Sequence, residues 1–277
     1  MAHFRFSQVN VFSADPFLGN PLAVVHEADA LSSEQMFAIA RWTNLSETVF
    51  LSKPTHPDAD YSVRIFSPQV ELPFAGHPTL GSCHAWLVAG GVPKDSNNVI
   101  QECGVGLVRI RKDAALLEFA APPLIRTGPL EEEVLGIICR ALDLPLSDIA
   151  HHQWVDNGPG WCAIMLHSAQ NVLALEPDWA TLAPLNLGVV GLHEADGDAT
   201  VEVRSFIGDG GYEDPVTGSL NASLAQWLIP AGLVSSPYSA AQGTRLKRAG
   251  RVYLRQSAND IWVGGQVVDV ISGKMSI

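Results

Sequence analysis

The sequence has little cysteine for its length. Its 277 residues include four cysteines, Cys83, Cys103, Cys139 and Cys162, and no two of them form a CxxC pair. This spacing disfavours a disulfide scaffold and predicts reduced thiols. The first residues also lack the apolar stretch of a signal peptide. The sequence therefore predicts a cytoplasmic protein.

Charged residues are also scarce, at 17% of the chain, whereas hydrophobic residues make up 47%. That balance favours large buried sheets over long solvated helices. The net charge of −12 and the lack of any Lys/Arg cluster argue against a nucleic-acid-binding surface. No apolar run approaches the ~20 residues that a membrane span needs. We therefore expect neither a nucleic-acid partner nor a membrane.

Familiar cofactor and hydrolase motifs are missing. The sequence contains no GxSxG, no phosphate-binding P-loop and no GxGxxG. His77 and His84 are seven residues apart, and His151 and His152 are adjacent, but neither pair has further ligands at zinc spacing. The sequence thus predicts no metal site and no nucleotide cofactor.

Short strand-like segments dominate what is present, and a few helices lie between them. A helix is predicted to begin at Ser32, where Gln35 completes a capping box. Other helices are predicted from Pro78 to residue 88, over 129–142, and from about Gly218 to before Pro230. By composition, residues 235–243 indicate a loop. Strands are predicted at 4–12, 47–51, 61–66, 200–206 and 261–270.

A weak internal repeat is the most informative pattern. Val63-Arg64-Ile65-Phe66 recurs as Val203-Arg204-Ser205-Phe206, at an offset of 140. Each copy is followed by a turn containing Gly and Pro, and then by a helix with a Trp-Leu pair. One repeat of this length predicts two duplicated lobes rather than a solenoid. The segment 120–124 is predicted to connect lobes 1–124 and 125–277, and a return of the last strand to the first lobe is left open.

The repeated helix starts predict an anion-binding clamp. The first amides of a helix have no intrahelical partner and carry partial positive charge. Two such ends facing one another would bind a carboxylate without Lys or Arg. Gly76, Gly218 and Ser219 would let the backbone approach the ligand. The alternative left open is that these are ordinary helix starts.

Three side chains are candidates for chemistry. Glu47 stands at the start of an apolar strand, where partial burial would suit a carboxyl to acid–base work. The alternative is a glutamate that faces water. His77 precedes Pro78 at a helix start and is placed either to exchange a proton or to cap the helix. Asp214 precedes Pro215 in the matching turn of the second lobe. It is placed either to face a cleft between the two lobes or to cap the helix that follows.

Long motifs over the whole chain resemble the PhzF family, the phenazine biosynthesis-like isomerases, within the diaminopimelate epimerase fold. The segments that carry the resemblance are Phe17-Leu-Gly-Asn-Pro-Leu-Ala-Val-Val25, Asn44-Leu-Ser-Glu-Thr-Val-Phe50, Arg64-Ile-Phe-Ser-Pro68, Glu71-Leu-Pro-Phe-Ala-Gly-His-Pro-Thr-Leu-Gly81, Glu213-Asp-Pro-Val-Thr-Gly-Ser219 and Gly264-Gly265.

The resemblance implies an α+β fold of two pseudo-symmetric lobes, each a curved mixed β-sheet wrapped around a central helix. It implies a homodimer that uses neither a metal nor an organic cofactor and acts on a small carboxylate substrate. In the site, it implies Glu47 as the proton shuttle, with His77 and Asp214 as polar partners. The implied substrate-binding residues are Gly76, Gly218, Ser219, Asn20 and Ser46.

Two departures qualify the resemblance. Related epimerases carry a cysteine in each helix-start turn, whereas both turns lack one here. A two-thiol racemase mechanism is therefore disfavoured. Leu220-Asn221 stands where many relatives carry a small residue followed by His or Cys, which puts the pocket wall, and so the substrate, in doubt.

Together these features predict an isomerase in which Glu47 moves a proton so that a double bond migrates. Two alternatives are kept: epimerisation at an α-carbon, with Glu47 and either Asp214 or His77 on opposite faces, and a non-catalytic protein that binds small acids. The sequence does not identify the substrate.

Overall fold

The computed structural model describes residues 2–113 and 116–277. The elements of the first part of the chain are β1 (His3–Val11), β2 (Asn20–Val25), α1 (Ser33–Thr43), β3 (Thr48–Ser52), β4 (Tyr61–Phe66), β5 (Glu71–Leu72), α2 (Gly76–Val88), β6 (Asn98–Cys103), β7 (Gly106–Asp113) and β8 (Leu116–Ala120). Those that follow are β9 (Arg126–Gly128), α3 (Glu132–Leu142), β10 (Ile149–Asp156), β11 (Trp161–Leu166), α4 (Ala169–Ala174), α5 (Trp179–Leu182), β12 (Asn186–Leu192), β13 (Val201–Ile207), β14 (Tyr212–Asp214), α6 (Gly218–Leu228), β15 (Tyr238–Gln242), β16 (Gly250–Ser257), β17 (Asp260–Gly265) and β18 (Val267–Ser276).

The chain divides into two compact units. The first comprises Met1–Ala120 and Gly264–Ile277, and the second comprises Ala121–Val263. The division thus falls a few residues before the predicted boundary at 124/125, and the C-terminal segment joins the first unit.

The first unit is a mixed sheet in the order β18-β1-β2-β3-β4-β6-β7-β8. The β2–β3 and β4–β6 pairs are parallel and the others are antiparallel. A parallel pair needs a crossover connection, and α1 and α2 provide the two crossovers. The short β5 pairs with β4 at Ile65 and Leu72, so that the chain turns back just before α2 begins.

Helix α2 is the central helix of this unit. It packs against β1, β2, β3, β4, β6, β8 and β18, and most of its residues are buried on every face. Its buried polar side chains, including Thr79 and Ser82, are therefore hydrogen-bonded within the unit. A side chain at Gly81 would place its Cβ 2.4 Å from the Leu22 side chain, so glycine permits the close approach of helix and sheet.

The second unit repeats this arrangement in the order β9-β10-β11-β12-β13-β15-β16. Its parallel pairs are β11–β12 and β13–β15, and α6 is the crossover between β13 and β15. Helix α6 is buried over most of its length, so it corresponds to α2. Helices α3, α4 and α5 cover the outer face of the sheet, above a core that includes Ile138, Val172 and Phe206.

An arginine–glutamate pair recurs in both units and confirms the predicted repeat. In the first unit, Arg64 donates to both carboxylate oxygens of Glu71, at 2.7 Å each. In the second, Arg204 donates to those of Glu213, at 3.1 and 2.7 Å. Each guanidinium also lies over the ring of a phenylalanine two residues on, at 5.0 and 4.8 Å from the ring centre.

Several predicted elements are confirmed at their ends. The Ser32 hydroxyl accepts from the Gln35 amide, and the Gln35 side chain accepts from the Ser32 amide, so the capping box is present. The helix predicted near Gly218 begins there and ends at Leu228. Helix α2 begins at Gly76, two residues earlier than predicted, because Pro78 occupies its third position rather than its first.

Two sequence predictions are wrong. Residues 235–243, predicted as a loop, contain β15, whose small residues Ala240 and Ala241 are buried between β13 and β16. Strand pairing here overrides low β propensity. The strand predicted over 261–270 is two strands, because the chain leaves β17 at Gly265 and begins β18 at Val267.

All four cysteines are free thiols, as predicted. Over residues 2–113 and 116–277, no helix combines the length and the apolar character required to cross a membrane.

Candidate active site

Glu47 directly precedes β3, an interior strand of the first unit. Helix α1 ends at Thr43, and the left-handed backbone of the next residue, Asn44 (φ 52°), turns the chain toward the strand. The next residue after Glu47, Thr48, is 1% exposed, and its hydroxyl lies 2.7 Å from that of Thr43. This contact ties the start of the strand to the end of the helix. The Glu47 side chain is 18% exposed, which confirms the predicted partial burial.

His77 is the second residue of α2, and its imidazole contacts Glu47 directly. The Nδ1 atom lies 2.9 Å from Oε2 of Glu47, and the His77 side chain is 4% exposed. The other ring nitrogen, Nε2, is buried without a hydrogen-bond partner among the residues that the structure describes. A buried polar atom left in this way costs ~1–3 kcal/mol. It is therefore a position where a polar ligand atom would be stabilised.

The Glu47–His77 contact holds one proton between a carboxyl and an imidazole. When Glu47 is a carboxylate, Nδ1 of His77 donates to it, and Nε2 is an acceptor in the neutral ring. When Glu47 carries the proton, its hydroxyl donates to Nδ1, and Nε2 carries hydrogen. Nε2 of His77 is thus a hydrogen-bond acceptor when Glu47 is a carboxylate and a hydrogen-bond donor when Glu47 is protonated.

The start of α2 has the features of an anion-binding end. No side chain caps it, and its first turn contains no acidic residue. Pro78 has no N–H, and the amide of Thr79 already donates to the carbonyl of Ala75 at 3.1 Å. The amides of Gly76 and His77 are the first-turn donors that remain, at the positive end of the helix dipole.

Asn20 and Ser46 also lie in the first unit. Asn20 is the first residue of β2, pairs with Val11, and is 1% exposed. The amide before it, of Gly19, donates to the side chain of Asn10 at 2.8 Å, which anchors the preceding loop. Ser46 directly precedes Glu47 and is half-buried. Their roles in substrate binding stay predictions.

Asp214 lies in the second unit, at the end of β14, just before α6. Its carboxylate accepts from the Thr217 hydroxyl at 2.5 Å, and its carbonyl accepts from the Gln242 side chain at 3.1 Å. Thr217 is the residue that precedes α6. The Asp214 carboxylate therefore contacts the side chain of the residue before the helix, and this contact is not a cap on a helix amide.

Gly218 and Ser219 are the first two residues of α6. The Ser219 hydroxyl accepts from the indole N–H of Trp161 at 3.1 Å, and its carbonyl accepts from Asn157 at 3.0 Å. These contacts fix the first turn of the helix within the second unit. The predicted participation of Asp214, Gly218 and Ser219 in substrate binding stays a prediction.

Two buried glutamines beside the central helices were not predicted from the sequence. Gln101 and Gln242 are both 0% exposed, and each bonds to the first turn of a central helix. Their offset of 141 matches the repeat. Extending that repeat beyond its Val-Arg-x-Phe match would have found them.

A cavity of the first unit lies elsewhere. It measures about 410 Å³ and is lined by β4, β5 and the β6–β7 turn, including Arg64, Glu71, Glu102 and Cys103. Arg64 and Glu71 neutralise one another there, and the carboxylate of Glu102 is used by backbone amides of Thr55 and His56. We therefore assign the candidate site by its chemistry, at Glu47 and His77.

The buried thiols are poorly suited to act as bases. Burial raises the pKa of Cys162 to about 12 and raises that of Cys83 further above its usual range. The thiolate is the reactive form. This agrees with the prediction that a two-thiol mechanism is disfavoured.

Comparison with known proteins places these observations in a family. The family model described as phenazine biosynthesis-like protein (PhzC-PhzF) matches residues 9–273. Antisense-enhancing sequence 1 of Schizosaccharomyces pombe is 37% identical over 300 residues, and the match covers 100% of both chains. Trans-2,3-dihydro-3-hydroxyanthranilate isomerase of Pseudomonas aeruginosa is 31% identical, over 91% of this chain and 90% of that protein.

Solved structures show the same fold. A crystal structure of a phenazine biosynthesis protein of the PhzF family from Enterococcus faecalis superposes with a TM-score of 0.84 and 23% identity, over 100% of both chains. At this identity the likeness establishes the fold, which is the α+β arrangement predicted from the sequence.

Proposed function

From the premise that this chain belongs to the phenazine biosynthesis-like (PhzC-PhzF) family of isomerases, we propose that it moves a proton on a small unsaturated carboxylic acid, with Glu47 as the acid–base group and without a cofactor. The observation that carries the proposal is the 2.9 Å contact between Glu47 and His77, together with the buried, unpartnered Nε2 of that histidine.

The proposed step is balanced within substrate and protein. The Glu47 carboxylate takes a proton from an activated carbon, and the C–H electrons move into the neighbouring π system. The carboxylic acid so formed returns the proton to another carbon, so a double bond migrates and the elemental composition is unchanged. Nδ1 of His77 orients the Glu47 carboxylate, and Nε2 of His77 forms a hydrogen bond with a polar atom of the substrate. Positioned acid–base groups of this type contribute ~10²–10⁴ in rate.

Comparison of the two units supports a single acid–base centre. Thr48 pairs with Phe66 in the first unit, as Leu187 pairs with Phe206 in the second. Glu47 therefore corresponds to Asn186, whose side chain donates to a backbone carbonyl at 2.7 Å.

The second position of the central helix differs in the same way. It is His77 in α2 and Ser219 in α6. At these two equivalent positions the second unit has no titratable side chain, which favours proton return by the same group over a symmetric pair of bases.

The start of α2 supports the carboxylate part of the proposal. The amides of Gly76 and His77 would donate to the substrate carboxylate and oppose charge that develops beside it. The glycine leaves room for the ligand near the backbone. Because His77 supplies both an amide and an imidazole, this arrangement would place the carboxylate close to the reacting carbon.

Proton exchange in D₂O tests the proposal. The wild-type protein is incubated with small unsaturated acids, including trans-2,3-dihydro-3-hydroxyanthranilate because of the 31% identical relative, and ¹H NMR follows deuterium uptake and product. Glu47→Gln is expected to lower the rate ~10²–10⁴-fold while the acid still binds in calorimetry. Glu34→Gln, at an exposed position in the first turn of α1, is the matched control.

Three outcomes would contradict the proposal. Near-normal exchange by Glu47→Gln would remove Glu47 from the reaction. Deuterium at an α-carbon with inverted configuration would indicate an epimerase. Binding of the acids with no exchange in the wild-type protein would indicate a small-acid-binding protein.

We also propose the homodimer and the cytoplasmic location that the family resemblance implies. Light scattering of the purified protein would test the dimer, since a monomeric mass would contradict it. Cell fractionation would test the location.

A further inference from the structure

Each unit buries one glutamine beside the start of its central helix. Gln101 is in β6 and Gln242 is in β15, the strand that follows the helix in each unit. Both are 0% exposed. An amide buried in a sheet is costly unless its donors and acceptors are satisfied. The contacts of these two side chains therefore indicate what they contribute.

In the first unit, Gln101 holds a short chain of hydrogen bonds. Its Oε1 accepts from the hydroxyls of Tyr61 and Ser82, at 2.9 and 3.1 Å, which directs its Nε2 toward Thr79. That Nε2 donates to Oγ1 of Thr79 at 3.2 Å, and Oγ1 in turn donates to the carbonyl of Ala75 at 2.9 Å. Ala75 is the residue that precedes α2.

In the second unit, Gln242 holds the corresponding positions with different chemistry. Its Oε1 accepts from the amide of Thr217 at 3.0 Å and from the Asn221 side chain at 2.7 Å. Asn221 also donates to the carbonyl of Thr217 at 2.9 Å. The Nε2 of Gln242 donates to the Thr217 hydroxyl at 3.0 Å, the same hydroxyl that donates to Asp214.

The two networks fix the same part of the helix. In each, the fourth helical residue, Thr79 or Asn221, donates from its side chain to the carbonyl of the residue before the helix. The buried glutamine holds that fourth residue in place. Gln101 donates to the fourth helical residue, whereas Gln242 accepts from it. The same positions are connected in both units, so the common feature is the geometry of the first turn.

His77 lies between the two tied positions of α2. It is two residues after Ala75 and two before Thr79, so the network sets the backbone from which its imidazole reaches Glu47. We propose that Gln101 is a positioning residue for the Glu47–His77 pair and acts through Thr79. The inference deepens the proposed function, since it concerns the same site.

The test reads the contact itself and needs no substrate. In ¹⁵N-labelled protein, the Nδ1–H resonance of His77 is identified by its absence from His77→Gln, and its hydrogen exchange is measured. Thr79→Val keeps the shape of the side chain but removes the hydroxyl, and it is expected to speed exchange about tenfold or more by loosening the pair. Gln101→Met should do the same. Thr79→Ser, which keeps the hydroxyl, should restore slow exchange.

Cys83→Ala is the matched control, because it removes a buried side-chain atom from the middle of α2 and leaves the hydrogen bonds of Gln101 in place. Equal exchange in Thr79→Val and wild type, with both folded, would overturn the proposal. So would equal acceleration in Cys83→Ala, since the effect would then be a general loosening of the helix. If the wild-type protein fails to isomerise any acid yet these variants behave as expected, the proposed function fails and the positioning role stands.

Discussion

The repeated arginine–glutamate pair allows one interaction to be compared at two levels of burial within one chain. The side chains of Arg64 and Glu71 are 36% and 40% exposed, whereas those of Arg204 and Glu213 are 4% and 5% exposed. Both pairs are bidentate. Glu71→Gln and Glu213→Gln therefore make the same chemical change in water and in the protein interior.

The expected cost differs because of solvation. Removing one charge from an exposed pair typically costs ~0–1 kcal/mol. Removing one from a buried pair costs ~3–5 kcal/mol, because the other charge is left uncompensated. Arg204 also donates to the carbonyls of Val172 and Leu175, at 3.2 and 2.6 Å, and these contacts persist in the variant. We therefore expect Glu213→Gln to cost about 3 kcal/mol, near the lower end of that range.

Unfolding in urea, followed by tryptophan fluorescence, measures the difference. Five of the seven tryptophans lie between residues 121 and 263, so the signal reports mainly on the second unit, and circular dichroism reports on the whole chain. In thermal unfolding of the same proteins, the melting temperature should fall by roughly 6–12 °C in Glu213→Gln and by a few degrees or less in Glu71→Gln. Equal losses in the two variants would refute the reasoning, because burial would then make no difference to the pair.

Two further predictions concern pH. Burial raises the pKa of Glu202, whose carboxylate contacts His193 at 3.1 Å, so the folded state binds the Glu202 proton more tightly than the unfolded state does. As the pH rises above about 4.5, the wild-type protein should therefore lose stability relative to Glu202→Gln. Urea unfolding of both proteins at pH 5 and pH 8 measures this loss. A constant difference between these two proteins would contradict this. Burial, aided by nearby Arg5, lowers the pKa of His26 to about 4. The NMR resonances of His26 should therefore not titrate between pH 8 and pH 5. The stability that the neutral His26 side chain contributes should be lost as the pH falls from about 6.5 toward 4. A titration midpoint near 6.5 for His26 would contradict this account.

The features predicted best from the sequence are those with local causes. The capping box at Ser32 and Gln35 depends on residues three apart, and it is present. The end of α6 at Leu228, just before Pro230, follows from the inability of proline to continue a helix. The duplication was visible because one strand in each half kept the Val-Arg-x-Phe pattern.

The features that were missed depend on contacts between distant segments. Tyr238–Gln242 has little β propensity, yet it is a strand because β13 and β16 lie on either side of it. At the break between β17 and β18, the carbonyl of Gln266 accepts from the amide of Phe12 at 2.8 Å, and a side chain at Gly265 would place its Cβ 2.3 Å from the ring of Phe12. Neither constraint is visible in a local window.

The candidate site shows the same division. Residue types alone left Glu47 and His77 with structural alternatives, and the family resemblance made them the preferred candidates. Their contact joins positions thirty residues apart, and it exists because β3 is an interior strand and α2 begins beside it. Sequence spacing carries no information about that distance.

The duplication itself separates the framework from the chemistry. Positions kept in both units are structural: the arginine–glutamate pairs connect the strand to the turn before each central helix, and the buried glutamines hold each helix start. These residues recur at offsets of 140–142. A residue retained in both halves is needed by the fold of each unit, whatever reaction the protein carries out.

The residues of the proposed acid–base pair lie at positions that differ between the units. Glu47 and His77 correspond to Asn186 and Ser219, and the two second-unit side chains are both engaged in bonds within their own unit. In the first unit, Nε2 of His77 is instead buried without a partner among the residues that the structure describes. Because an unsatisfied buried nitrogen contributes nothing to stability, its presence at His77 agrees with the ligand contact that we propose for this residue.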